Sequence, residues 1–273
     1  MCLIAIQYRV VPESPILVAS NREEFYDRRS QSPSIQSGKP RVLCPTDQRS
    51  GGTWLGVNQH GVFVGICNRR VPEPLGSNRS RGLLVKEVLK GTTSRSAVER
   101  AREELQKHRF EACNLIIADR DFGFAVHHDQ EDEVIDLQPG LSIIGGRNLN
   151  DPRDERVQLA GRLLTLQNLD SPVKFLAVAS RVFARLPNPL ARASMVIQGA
   201  DYGTVSSTLI ALGPKPRDAI FQYAAGPASE ARYEDYSPLL RDILSRGLRE
   251  SRAKAAAVDV VEAELAETAD IDG

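Results

Sequence analysis

Neither charge sign is in excess in this chain: 35 Lys and Arg are balanced by 35 Asp and Glu over 273 residues. That balance argues against a general nucleic-acid binder, which carries a basic surplus. Aromatic residues make up only 5%, with Trp54 the single tryptophan. No apolar run approaches the ~20 residues of a membrane-spanning helix. The opening stretch CLIAIQY is too short for the apolar region of a secretory signal, and no basic segment precedes it. The four cysteines, Cys2, Cys44, Cys67 and Cys113, show no short spacing. They match no zinc pattern and are too sparse for a disulfide scaffold, so a reducing compartment fits best. A Gly-Lys-Ser/Thr loop and a dinucleotide fingerprint are both missing. The expectation is a cytoplasmic protein with no membrane span, whose 41% hydrophobic content is ample for a core.

The order of elements is legible in outline. Cys2–Tyr8 and Ile16–Ala19 are short apolar runs split by prolines and read as a hairpin. Gln31–Pro40 reads as a loop, Gly51–Asn58 as a strand entered through glycines, and Gly61–Cys67 as its return. Leu83, Leu84, Val88 and Leu89 recur at helical spacing, and Thr93-Ser94 can cap a helix burying Ala97, Val98, Ala101 and Leu105. Strands resume at Cys113–Ala118, Phe122–His127, Glu133–Leu137 and Leu141–Ile144. Two further helices, a hairpin of Thr204–Leu212 with Ala219–Ala224, and a helix near Pro238–Leu248 follow. Strands, helices and strands again imply an α+β protein of mainly antiparallel sheets with packed helices. Residues 1–249 read as one domain; 250–273, rich in Ala, Glu and Asp, as a disordered or frayed helical tail.

The chemistry-bearing residues begin at position 2. Removal of Met1 would leave Cys2 with a thiol nucleophile and, on the same Cα, a free amine titrating near ~7.7–8.0 that can take its proton. A Cys on a first strand is also an ordinary small hydrophobe. Asn21-Arg22-Glu23-Glu24-Phe25 follows the second run and can face Cys2, orienting an amine or carboxylate; spacing alone favours a charged loop at a strand end. Gly52 and Thr53 precede Trp54, where glycine allows close backbone approach to a ligand and Trp54 can floor a pocket, or simply fill core. Asn68, ending its strand before Arg69, can donate to an oxyanion or make a turn. His127 and His128 lack a third ligand at metal spacing and read as a satisfied or exposed pair, with no metal assigned.

Met1-Cys2, Asn21–Phe25, Gly51–Val57, Asn68-Arg69, Leu149–Pro152 and Tyr202–Thr208 occur in the order seen in the NRDE family, and over roughly residues 1–245 the chain resembles that family. The family includes the transport-and-Golgi-organisation proteins. The resemblance implies a four-layer αββα sandwich of the N-terminal-nucleophile (Ntn) hydrolase type. Cys2 then matches the nucleophile, Arg22 and Glu23 the family's Arg-Asp, and Asn68 a supporting Asn. There are three departures: Glu23 replaces Asp, Val205 replaces a frequent Arg, and the pair Gly145-Gly146 replaces Thr-Asn or Ser-Asn.

Two functions are consistent with that resemblance. One is a Cys2-dependent amidohydrolase or acyltransferase acting on a small amide or thioester without a required cofactor. Cys2, Arg22, Glu23 and Asn68 would then carry catalysis, and Asn21, Gly52, Thr53, Trp54 and Arg69 would contact the ligand. The other is a non-catalytic binding or trafficking protein for haem, an acyl-CoA or a lipid, as the family's association with haem movement and lipid handling suggests. The oligomeric state is left open.

Overall fold

A computed structural model describes residues 2–188 and 193–269, from residue 254 on as backbone only. Thirteen strands among the described residues form two antiparallel sheets. One has the order β10 (Gly140–Ile144), β1 (Leu3–Tyr8), β2 (Ile16–Phe25), β11 (Tyr202–Leu212), β12 (Ile220–Ala224), β13 (Glu234–Asp235). The other has the order β3 (Ser30–Gln36), β4 (Val42–Asp47), β5 (Leu55–Asn58), β6 (Phe63–Asn68), β7 (Cys113–Ala118), β8 (Gly123–His128), β9 (Asp132–Asp136). In the first, β1 lies between β10 and β2, and β2 pairs in turn with β11.

Strand periodicity builds the layers. Along β1 and β2, Ile4, Ile6, Ile16 and Val18 enter one hydrophobic cluster, shared with β6, β7 and helices α1 (Arg81–Val88) and α2 (Ser94–Lys107). The alternate residues Leu3, Ala5, Leu17 and Ala19 enter a second cluster with α3 (Glu155–Leu164) and α4 (Pro172–Phe183). Two-sided burial of this kind requires covering layers on both faces, and an αββα sandwich supplies them. Gly65 of β6 lets the sheets approach: a Cβ there would lie 2.8 Å from Ile4 Cδ1. Helix starts follow their caps, with Ser80 before α1, a Thr93–Ser96 capping box on α2, Asp154 before α3 and Ser171 before α4.

Three expectations change. Ser30–Gln36, expected within a loop, is the edge strand β3, and its register on β4 slips between Gln31 and Ser34, around Pro33. Edge position and a bulge are where a strand tolerates proline. Asn21–Phe25, expected beyond the strand, is its continuation: Leu3 pairs with Asn21, and Tyr202 with Phe25. The last helix, α5, does not stop near Leu248 but runs Ser237–Ala269, in keeping with the helix propensity of its Ala, Glu and Arg. Among the described residues no helix is long and apolar enough to cross a membrane.

Candidate functional site

Cys2 immediately precedes β1 and is buried, facing the cluster between the sheets. It lines two cavities. The first, about 240 Å³, also takes in Arg22, Glu23, Glu24, Thr53, Trp54, Asn68 and the start of α1 from Ser80 to Gly82. The second, about 370 Å³, lies toward α3 and is bordered by Gly145, Gly146, Arg156 and Ser194.

Alternation along β2 divides its charged residues. Arg22 is buried, with its guanidinium carbon 4.2 Å from the centroid of the Trp54 ring, a cation–π geometry. Its Nη2 is 3.5 Å from Glu24 Oε2. Its Nη1 and the Ser206 hydroxyl, whose residue is its register partner on β11, are both buried without a hydrogen-bond partner among the described residues.

Glu23 points the other way. Its fully buried carboxylate accepts from Arg156 Nη2 at 2.9 Å and Nη1 at 3.4 Å, and from the Thr204 hydroxyl at 3.2 Å. Tyr202 closes the corner by donating its hydroxyl to the Glu23 carbonyl at 3.1 Å.

These surroundings set the protonation of the thiol. Burial first, and then the negative charge of Glu23, push the Cys2 thiol above its ordinary value, against the Glu23 backbone N–H and the Arg22 charge. Burial also raises the Glu23 carboxyl, and Arg156 opposes that rise. The thiol form of Cys2 is thereby favoured over the thiolate. At the cavity mouth, burial would raise the Asp47 carboxyl, but hydrogen bonds from Arg28 (2.8 Å) and Ser50 outweigh it and bring it down to about 2.

Asn68 and Thr53 line the first cavity, and the Thr53 hydroxyl donates to Leu55 O at 2.8 Å. Three residues expected to contact ligand lie elsewhere. Asn21 is fully buried toward the helical layer: its amide donates to Phe183 O (2.9 Å) and Met195 O (3.1 Å) and accepts from Ser207 (2.6 Å). Gly52 approaches backbone rather than ligand, since a Cβ there would lie 2.4 Å from the Gly82 carbonyl carbon at the start of α1. Arg69 turns away, its Nε 2.7 Å from Asp129 and its Nη1 3.2 Å from Asn114 Oδ1.

Asn114 organises the far wall. Its amide donates to Gly145 O at 2.9 Å and Arg147 O at 2.8 Å, and its Oδ1 is 2.7 Å from His127 Nδ1. His127 Nε2 accepts from Leu149 N at 3.3 Å, which leaves the proton on Nδ1. Burial and then the Arg69 charge lower its pKa, so His127 is a neutral structural imidazole. Among the described residues, no group of three or more His, Cys, Asp and Glu is placed to hold a metal ion.

Sequence reasoning missed Asn114 and Arg156. Asn114 resembles any polar residue in the apolar run CNLIIA. Arg156 did leave a trace: it stands four residues before buried Ala160, beside the apolar stripe of α3.

The Transport and Golgi organisation 2 family model matches residues 1–221. The transport and Golgi organization protein 2 homolog of Bos taurus is 27% identical over 246 residues, covering 77% of this chain and 88% of its own. The Homo sapiens homolog is 30% identical over 127 residues, 44% of this chain and 45% of its own. Among solved structures, the Caenorhabditis elegans ortholog of N-acylethanolamine-hydrolyzing acid amidase superposes with a TM-score of 0.51 at 16% identity, over 77% of this chain and 92% of its own. The C2A mutant of the conjugated bile acid hydrolase from Clostridium perfringens gives 0.50 at 10% identity, over 87% and 93%. The fold is that of the Ntn hydrolases, and the chain belongs to the Transport and Golgi organisation 2 family.

Proposed function

We propose that this protein is a Cys2-dependent hydrolase or acyltransferase of a small, polar amide or thioester. The observation that carries the reading is that Cys2, Arg22 and Asn68 line one cavity, which Glu23 borders with its carboxylate turned toward Arg156. Removal of Met1 gives the raised thiol its proton acceptor. The sulfur attacks the substrate carbonyl carbon while its proton passes to the Cys2 α-amine. The Asn68 amide and a backbone N–H hold the oxyanion. Collapse of the intermediate returns the proton to the leaving amine or thiol, and an acyl-Cys2 remains. Water, or an acceptor in the cavity toward α3, then takes the acyl group and frees the thiol. Arg22 and Glu23 hold the amine and the substrate in place.

Lining chemistry favours a compact polar substrate over haem or a long acyl chain. Beside Cys2, the first cavity offers only Trp54 and Ile66 as large apolar walls, among Arg22, Arg28, Arg79, Arg81, Glu24, Asp47 and Glu111.

The test is the intact mass of natively expressed protein before and after limiting iodoacetamide, with the adduct mapped, followed by turnover of an amide and thioester panel. The expected result is loss of Met1, rapid labelling at Cys2, and a drop in turnover of more than about 10³-fold in Cys2→Ala. Full activity in Cys2→Ala would overturn the mechanism.

A further inference from the structure

Val205 and Glu23, two positions where the chain departs from the pattern it resembles, meet in the structure. The register of β11 on β2 slips between Thr204, opposite Glu23, and Ser206, opposite Arg22, so Val205 is the extra residue of a bulge beside both. No charge comes from position 205. A guanidinium reaches the Glu23 carboxylate from another layer, off the first turn of α3.

We propose that Arg156 is a positioning residue for Cys2: it holds the Glu23 carboxylate in its ionised form against the nucleophile's own strand pair. This inference rests on the Cys2-dependent reading above.

Four observations support it. The Glu23 side chain is wholly buried, and an isolated carboxylate there would be strongly disfavoured without a charge partner. Arg156 meets it with two nitrogens, at 2.9 and 3.4 Å. Arg156 is itself fixed, since Nε donates to Ser194 O at 3.1 Å and Nη2 to Met195 O at 2.9 Å. It also borders the same cavity as Cys2. A carboxylate one methylene longer than Asp reaches further toward α3, which matches a cation supplied from that helix. The negative charge of Glu23 already acts on the Cys2 thiol, so the state of the Glu23–Arg156 pair is felt at the sulfur.

The experiment measures the rate of Cys2 alkylation by iodoacetamide against pH. It compares the intact protein with Arg156→Met, Arg156→Lys, Glu23→Gln and the double variant Glu23→Gln/Arg156→Met, each checked for folding by circular dichroism. Arg156→Met removes the guanidinium from the Glu23 carboxylate, and the buried carboxyl shifts toward its protonated form. The expected result is a pH profile displaced downward and labelling at neutral pH quickened about tenfold, one pKa unit, because the charge opposing the thiolate is lost. Arg156→Lys recovers at least part of the profile. The double variant, with both charges removed, labels within about threefold of Glu23→Gln alone.

A purely structural clamp on Ser194 and Met195 predicts a different pattern: Arg156→Met and the double variant would both be slowed, and the pH profile would keep its midpoint. Either result, or an unchanged profile in folded Arg156→Met, overturns the proposal. An inert Cys2 in the unsubstituted protein overturns this proposal together with the reading beneath it. A reactive Cys2 indifferent to Arg156 overturns this proposal alone.

Discussion

Replacing Asn114 with alanine should damage both the stability of the protein and the reactivity of its candidate nucleophile. The Asn114 side chain is fully buried and holds four partners: the carbonyls of Gly145 and Arg147, His127 Nδ1 and Arg69 Nη1. Each lost hydrogen bond is worth about 1 kcal/mol net, and a buried group left unpaired costs about 1–3 kcal/mol. Four bonds give roughly 4 kcal/mol; water entering the vacated space re-satisfies part of this and brings the expectation to about 3 kcal/mol. The cost does not stay local. Gly145 and Gly146 border the Cys2 cavity toward α3, and the carbonyls of Gly145 and Arg147 bracket them. Urea unfolding of Asn114→Ala should show a lower midpoint with an unchanged m-value. Cys2 alkylation in the folded variant should differ from the parent by several-fold. A loss below about 1 kcal/mol, or an unaltered alkylation rate, would refute the account of this wall.

Acid should weaken the same wall through His127. Its folded pKa is depressed, so below the ordinary imidazole value of ~6.5 the unfolded chain binds more protons than the folded one and stability falls. Unfolding free energy measured from pH 7.5 to 5 should decline, and the His127→Gln variant should lack that component; equal slopes would contradict the assignment. At the other wall, Gly52→Ala forces a Cβ to 2.4 Å from the Gly82 carbonyl carbon and strains the 3.0 Å bond from Thr53 N to Gly82 O. Backbone against backbone has little room to yield, so the expected cost is about 2–4 kcal/mol. Gly82→Ala, whose Cβ would meet Thr53 at 3.1 Å and gains helix propensity, should cost less than half of that. Chemical denaturation of the pair gives the comparison, and equal costs would show that the contact is not the determinant.

The sequence by itself determined the layers and the order of the elements. The short apolar runs at Leu3–Tyr8 and from Ile16, helical spacing in α2, and caps such as Thr93 are local properties, and local sterics and burial enforce them wherever the chain folds. The ordered motifs from Met1-Cys2 to Tyr202–Thr208 likewise carried the family. Tertiary structure alone decided how the polar side chains divide. Asn21, Arg22 and Glu23 are adjacent in sequence, yet the pleat sends Arg22 to Trp54 and its two neighbours toward the helices. Asn114 and Arg156 lie far from Cys2 along the chain and acquire meaning only when β7 and α3 are packed in place. Buried polar groups must find partners, but nothing in a linear pattern says which, because the partner is chosen by packing across layers.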